Sequence, residues 1–168
     1  MTQARDATIC SPMIVDISTK LDCARARAWE EVQKPALLVH VAKPLLVFKP
    51  LEPKTLPSVW REGRYRVSLW FLGLLPLGRQ WVDVSKPAPP EWADQAALCI
   101  RDNGSGDLVR TWDHWIVMTD EGAGQTGYRD RVDIRAGLLT PFVWLFAIWF
   151  YHHRQARWRA LVRRGFQP

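Results

Sequence analysis

The chain has 168 residues, 48% of them hydrophobic and 24% charged, which suits one domain with a sizeable core and excludes wholesale disorder. Its net charge of +6 comes from scattered cations, and without an RNP-like or zinc-finger pattern the common nucleic-acid modules are excluded. Cys10, Cys23 and Cys99 form an odd set with no CxxC or Cys/His ligand spacing, so free thiols in a reducing compartment are expected.

In chain order, residues 1–12 (MTQARDATICSP) lack an apolar signal core. They predict a mobile lead-in to a single domain over 13–168 and a cytoplasmic location, with peripheral membrane contact as a variant. Val15, Ile17, Thr19 and Leu21 alternate with polar residues, the period-two pattern of a half-buried strand. Asp22 is a candidate cap for a helix from Cys23 to about Gln33, and Pro35 opens a second short helix ending near Ala42. LLVFKPLEP predicts a strand closed by Pro50 and Pro53. Gly63 opens a long alternating strand, and the apolar loop Leu72 to Gly78 turns it into a second, Arg79 to Ser85. Such a loop suits a lid, a dimer contact or a membrane-touching tip, because bare leucines are unfavourable in water. The Pro-rich stretch Lys86 to Trp92 is excluded from sheet interior. Ala96 to Asp102 predicts a strand and Asn103-Gly104-Ser105-Gly106 a hairpin turn. Leu108 to Thr119 and Gln125 to Ile134 predict a last hairpin.

Leu139 to Phe166 completes the chain. Thr140 and Pro141 suit a helix start and Gly165 a stop, so a helix of about 36 Å is expected at ~1.5 Å per residue. Its first half, to Tyr151, is apolar all round, and a helix of that kind is wrapped by its own protein. The uncharged run is shorter than the ~20 residues a bilayer span requires. The order strand, two short helices, about six strands and a long helix predicts an α+β fold. In it a curved antiparallel sheet of about seven strands wraps the C-terminal helix, with a small-molecule pocket between them. Ten tryptophans suit a fold that surrounds large flat surfaces.

The final hairpin carries the candidate chemistry. If Thr119 faces Gln125, then His114 faces Asp130, Trp112 faces Val132 and Ile116 faces Tyr128 on one side. On the other, Asp113 faces Arg131 and Trp115 faces Arg129. The charged side suits solvent, so the His114–Asp130 pair points at the helix, and a two-residue slip keeps both on that face. The expected roles are a general base or a hydrogen-bond anchor in His114, charged and oriented by Asp130, with a His114 pKa raised above about 6.5. Tyr65, Trp81, Trp112, Ile116, Tyr128, Trp144 and Ile148 are candidate pocket walls, and Arg110 and Arg101 candidate partners for an anionic head group. His152 and His153 point about 100° apart on a helix, so no metal site is expected there, and no cofactor is expected. No GxSxG elbow and no phosphate-binding glycine loop occurs.

The runs WDHWI (112–116), YRDRVDI (128–134), AGLLTP (136–141) and FYHHRQARWRALV (150–162), in this element order, resemble the START-related helix-grip superfamily, SRPBCC. Within it, the chain resembles the uncharacterised bacterial proteins grouped near polyketide cyclases and ligand-binding proteins. That resemblance implies a helix-grip fold and an apolar or amphipathic, lipid- or polyketide-like ligand held between sheet and helix. It leaves open a cyclase/dehydratase-type enzyme using His114 and Asp130. A peripheral membrane or protein-interaction module, or a homodimer, also stays open. The iron–sulfur Cys/His pattern of the oxygenase branch is missing.

Overall fold

The computed structural model describes residues 13–167, so the expected lead-in over 1–12 lies outside the described residues. The elements run β1 (Met13–Leu21), α1 (Arg25–Val32), α2 (Pro35–Ala42), β2 (Leu46–Glu52), β3 (Gly63–Phe71), β4 (Leu75–Ser85), β5 (Leu98–Gly106), β6 (Thr111–Gly122), β7 (Gln125–Arg135) and α3 (Thr140–Arg163), with a 3-10 turn at Gly137–Leu139 before α3. All seven strands join one antiparallel sheet in the order β1-β7-β6-β5-β4-β3-β2. The sheet curves around α3, as the element order predicts. β7 shows why the chain folds this way. Thr126, Tyr128, Asp130, Val132 and Ile134 are buried while the residues between them reach the outer face, so one pleated surface can lie against the helix.

Two adjoining clusters fill the space between sheet and helices. One joins α1, α2 and the second half of α3 through Ala28, Val41, Met118, Tyr128 and Trp158. The other packs the first half of α3 on β1, β2 and β7 through Val15, Leu46, Ile134 and Phe150. A smaller cluster lies on the outer face, where the Pro-rich segment crosses the sheet: Ala97, Cys99 and Val117 are buried there with Trp115 against them. Trp92 packs edge-on to Trp115 at 5.9 Å, and the Arg129 and Arg131 guanidiniums lie over its ring at 5.1 and 4.9 Å.

Several boundaries differ from the sequence reading. The helix after β1 is capped at Ala24, and the Asp22 carboxylate accepts from Gln125 Nε2 at 3.0 Å instead of closing the helix. Residues 103–106 are not a turn but the last part of β5. A Cβ on Gly104 or Gly106 would lie 2.7 Å from the Trp81 carbonyl or 2.6 Å from the Arg79 carbonyl, so these glycines permit close strand approach. The turn after β3 is confined to residues 72–74, with positive φ at Leu72 (51°) and Gly73 (73°), and the leucines beyond it belong to β4. Thr140 does not cap α3. Its hydroxyl accepts from the Ala136 N–H and donates to the Gly137 carbonyl, pinning the 3-10 turn.

The β6–β7 register is two residues from the expected one: His114 faces Val132 and Ile116 faces Asp130. Positive φ at Ala123 (49°) and Gly124 (74°) makes a two-residue turn, with a bulge between Asp120 and Gly122, in place of an open five-residue loop. An even slip leaves every side chain on its predicted face. The outer-face pairs change partners. Arg101 forks onto Asp113 at 2.8 and 2.9 Å, while Arg129 and Arg131 converge on Asp16 at 2.6 and 2.9 Å.

Candidate functional site

A cavity of about 370 Å³ lies between the concave sheet and the first half of α3. Its wall is almost entirely apolar, formed by Phe48, Leu69 and Phe71 from β2 and β3, Val82 from β4, Trp112 from β6, and Val143, Phe146 and Phe150 from α3. The polar side chains along it include Asp102, His114 and Arg154. Asp102 lies directly opposite His114 across β5 and β6, so both project from the sheet face that meets α3.

The floor is a hydrogen-bonded network centred on Asp130, which is 0% exposed. His114 Nε2 is 2.8 Å from Asp130 Oδ1 although the two are diagonal neighbours across the ladder. Tyr128 Oη donates to the same oxygen at 3.0 Å, and Gln155 Nε2 donates to Oδ2 at 3.1 Å. Arg154 donates from Nη2 to Tyr128 Oη at 3.0 Å and stands 3.8 Å from Asp130 Oδ1. A carboxylate in this setting needs such partners, because burial alone would drive it neutral. Burial pushes Asp130 up, but the Arg154 charge and the His114 hydrogen bond outweigh it and hold the carboxyl below its usual value.

His114 titrates in the direction opposite to the expected one. Burial lowers its pKa; the Asp130 bond opposes this, and the Arg154 charge adds to the lowering. Near neutral pH the ring is uncharged, with Nε2 donating to Asp130 and Nδ1 left as an acceptor. The Tyr151 ring lies 5.0 Å from that of His114 and 5.6 Å from the Arg154 guanidinium, and stacks on Trp112 at 6.2 Å. Asp102 Oδ1 accepts the Asp83 N–H at 2.7 Å. It is enclosed by protein yet opens onto the cavity, and burial pushes its carboxyl up to about 7.

Of the sequence-predicted residues, Trp112 and His114 line the cavity, and Asp130 and Tyr128 lie beneath it. The others lie elsewhere. Tyr65 is core, 4.8 Å from Trp60 and hydrogen-bonded to Arg61. Trp81 is on the outer face under Arg64 and Arg66, because its parity is opposite to that of Val82. Ile116 is buried in the cluster beyond the floor. Trp144 turns to the sheet edge, donating from its indole to the Ile14 carbonyl at 2.9 Å, and Ile148, also on α3, packs half-buried against the core cluster that holds the first half of the helix. Arg110 is exposed in a shallow groove with Arg66 and Asp107, and Arg101 is taken by Asp113.

Three floor residues were not singled out. Arg154 and Gln155 sit in a run that reads as a basic surface, yet they fall between Tyr151 and Trp158, seven residues apart on one helix face. That spacing is the signal that places them inward. Asp102 shares the parity of inward Ile100, a clue masked by the turn chemistry of the next four residues.

The first half of α3 is not wrapped on every side. Phe142, Leu145 and Trp149 are 70%, 58% and 52% exposed. With Leu139 from the 3-10 turn, Leu75 from β4 and Leu108 from the loop between β5 and β6, Phe142 forms the cavity mouth. No helix among the described residues is long and apolar enough to cross a membrane, and no group of metal-binding side chains is found among them.

No protein-family model matches the sequence, and no curated protein matches it. Solved structures do match. A START superfamily protein from Mycobacterium smegmatis is 13% identical over 90% of this chain and 97% of its own, with a TM-score of 0.63. Norcoclaurine synthase from Thalictrum flavum is 8% identical over 93% and 95%, with a TM-score of 0.53. DynU16, a putative protein in the dynemicin biosynthetic locus, is 15% identical over 90% of this chain and 48% of its own, with a TM-score of 0.52. At these identities the likeness is one of fold. A seven-stranded antiparallel sheet curved around a long C-terminal helix, with two short helices after its first strand, is a helix-grip fold, and these structures share it.

Proposed function

We propose that the chain is a binding protein for an apolar or amphipathic small molecule, lipid- or polyketide-like, held between the sheet and α3. The observation that carries this is the cavity of about 370 Å³ with an apolar wall and a polar floor at one end, in the size range of small-molecule sites. The wall contributes desolvation, and His114, fixed by Asp130, supplies a hydrogen-bond anchor. The START superfamily and dynemicin-locus structures of the same fold support a ligand-binding role.

Trp112 in the wall gives a direct readout. Native mass spectrometry of the purified protein is expected to find a co-purified small molecule. Titration with an apolar probe is expected to change tryptophan fluorescence, and Trp112→Phe to remove most of that change. Val143→Trp fills the upper cavity and is expected to abolish binding while the protein stays folded. Unchanged probe binding to Val143→Trp would exclude this cavity as the site.

A second reading has its own observation, the exposed apolar rim. Leu74 on the β3–β4 turn is 82% exposed, with Leu75, Phe142, Leu145 and Trp149 also open to solvent. We propose that the rim rests on a lipid surface while ligand enters. Leu74→Asp with Phe142→Asp is then expected to abolish co-flotation with phosphatidylglycerol vesicles. Trp149→Ala is expected to change thermal stability by no more than about 0.5 kcal/mol. A loss of stability in Trp149→Ala with vesicle association intact would remove this reading.

A further inference from the structure

The floor of the cavity is more specific than its wall. Arg154 is 5% exposed, and its guanidinium carries five N–H groups in a planar fork. One bonds Tyr128, and Asp130 stands 3.8 Å away with its oxygens already taken by His114, Tyr128 and Gln155. Among the described residues no other acceptor meets the fork, and Arg154 lines the cavity. A buried cation with spare donors aimed into an apolar cavity needs an acceptor from outside the chain. Across the floor, Asp102 has one oxygen on the Asp83 N–H and the other free.

We propose that the ligand is a carboxylate-bearing amphiphile whose head group sits between Arg154 and Asp102 while its apolar body fills the cavity. This rests on the cavity being a ligand site. A single buried cation, already partly matched by Asp130, suits a monoanion better than a doubly charged phosphate. Arg154 takes one edge of the carboxylate. Asp102, in its protonated form, donates to it, so that acid and carboxylate share one proton; two ionised carboxylates there would repel. On the cavity face the charged and titratable groups near Asp102 are His114 from β6 and Tyr151 and Arg154 from α3, while Asp83 from β4 and Asp113 from β6 act on it by charge from the outer face of the sheet. His114 is uncharged near neutral pH, so Asp102 is the group that titrates near 7.

Affinity then depends on pH with a definite sign. With a midpoint near 7, Asp102 is mostly protonated at pH 6 and mostly ionised at pH 8. A ligand that needs the protonated form is expected to bind about tenfold more weakly at pH 8 than at pH 6. Calorimetry with decanoate, ionised at both pH values, and with decanol as the uncharged control tests this. Decanoate is expected to bind more tightly than decanol, to lose about tenfold between pH 6 and pH 8, and to take up a proton on binding at pH 8. Asp102→Asn keeps an oxygen for the Asp83 N–H and places an amide donor where the acid proton was. In that variant the ratio between the two pH values is expected to fall to about one. Decanol binding without a decanoate preference, or pH-independent decanoate binding to the unaltered protein, would overturn the head-group assignment and leave the cavity reading standing. If neither compound binds, both fall.

Discussion

Asp130→Asn is expected to destabilise the protein by about 3–5 kcal/mol, read as a fall in the urea midpoint with an unchanged slope. The substitution removes the negative charge beside Arg154 and leaves a guanidinium 5% exposed with no counterion in its shell. It also turns one of the two acceptor oxygens into an amide donor: the remaining oxygen can still take His114 and Tyr128, but Gln155 Nε2 then meets N–H groups where it met Oδ2. Nuclear magnetic resonance titration should show the His114 pKa falling further, since Asp130 is the group that raises it against burial. The dependence on pH follows from the same shifts. The folded His114 pKa lies below the unfolded one, so the unfolded chain takes up the proton first and stability falls as pH drops below about 6.5. The Asp130 carboxyl is also lowered, so its contribution is present above the ordinary carboxylate value and is lost as pH falls through the folded one. An unperturbed His114 titration in Asp130→Asn would show that the two are not coupled.

Trp158→Ala is expected to cost a similar ~3–5 kcal/mol, by a different mechanism. Trp158 is 1% exposed where α3 passes over Tyr128, with ring centroids 6.3 Å apart and Phe166 5.9 Å away on its other side. Truncation leaves a void that rigid strands on one side and α1 on the other are poorly able to close. The indole Nε1 is buried without an acceptor, a penalty that phenylalanine avoids. Trp158→Phe should therefore recover much of the loss in a thermal melt. If alanine there costs less than about 1 kcal/mol, the region collapses onto the space and the packing account fails.

Periodicity made the architecture legible. Alternation in residues 13–21, 63–71 and 125–135 marked strands and their inner faces, and the Pro141 and Gly165 signals framed α3 to within a residue or two. Parity also located the His114–Asp130 contact, although the register argument behind it was two residues off. Face assignment survives an even slip, and a histidine can reach a diagonal neighbour. Trp81 and Trp144, expected in the pocket wall, lie elsewhere for a physical reason. A tryptophan is large enough to serve any face, so its identity says little about direction without its neighbours. Charge misled in the opposite sense: Arg154 and Asp102 look solvated in one dimension, and only the packing of α3 on the sheet makes them interior. The sign of the His114 shift depends on the same hidden neighbour, because Arg154 stands beside a pair that the sequence offered as isolated.

The bond between Trp144 and the Ile14 carbonyl belongs to a series. β1 is an edge strand, with β7 on one side only. From α3, Gln155 also donates to the Ile17 carbonyl at 2.8 Å and Arg159 to the Thr19 hydroxyl at 2.7 Å. Trp144, Gln155 and Arg159 share one side of α3, three turns and then one turn apart. The Ile14 and Ile17 carbonyls are an odd number of residues apart and point to opposite sides of the strand, so one of the two lies on the open edge and is taken from a passing strand. A protein with a hollow, greasy interior and uncovered leucines at its rim runs a standing risk of joining its neighbours through sheet extension. The helix that closes the cavity also blocks that route at β1, which lets the rim remain open without the edge seeding aggregates.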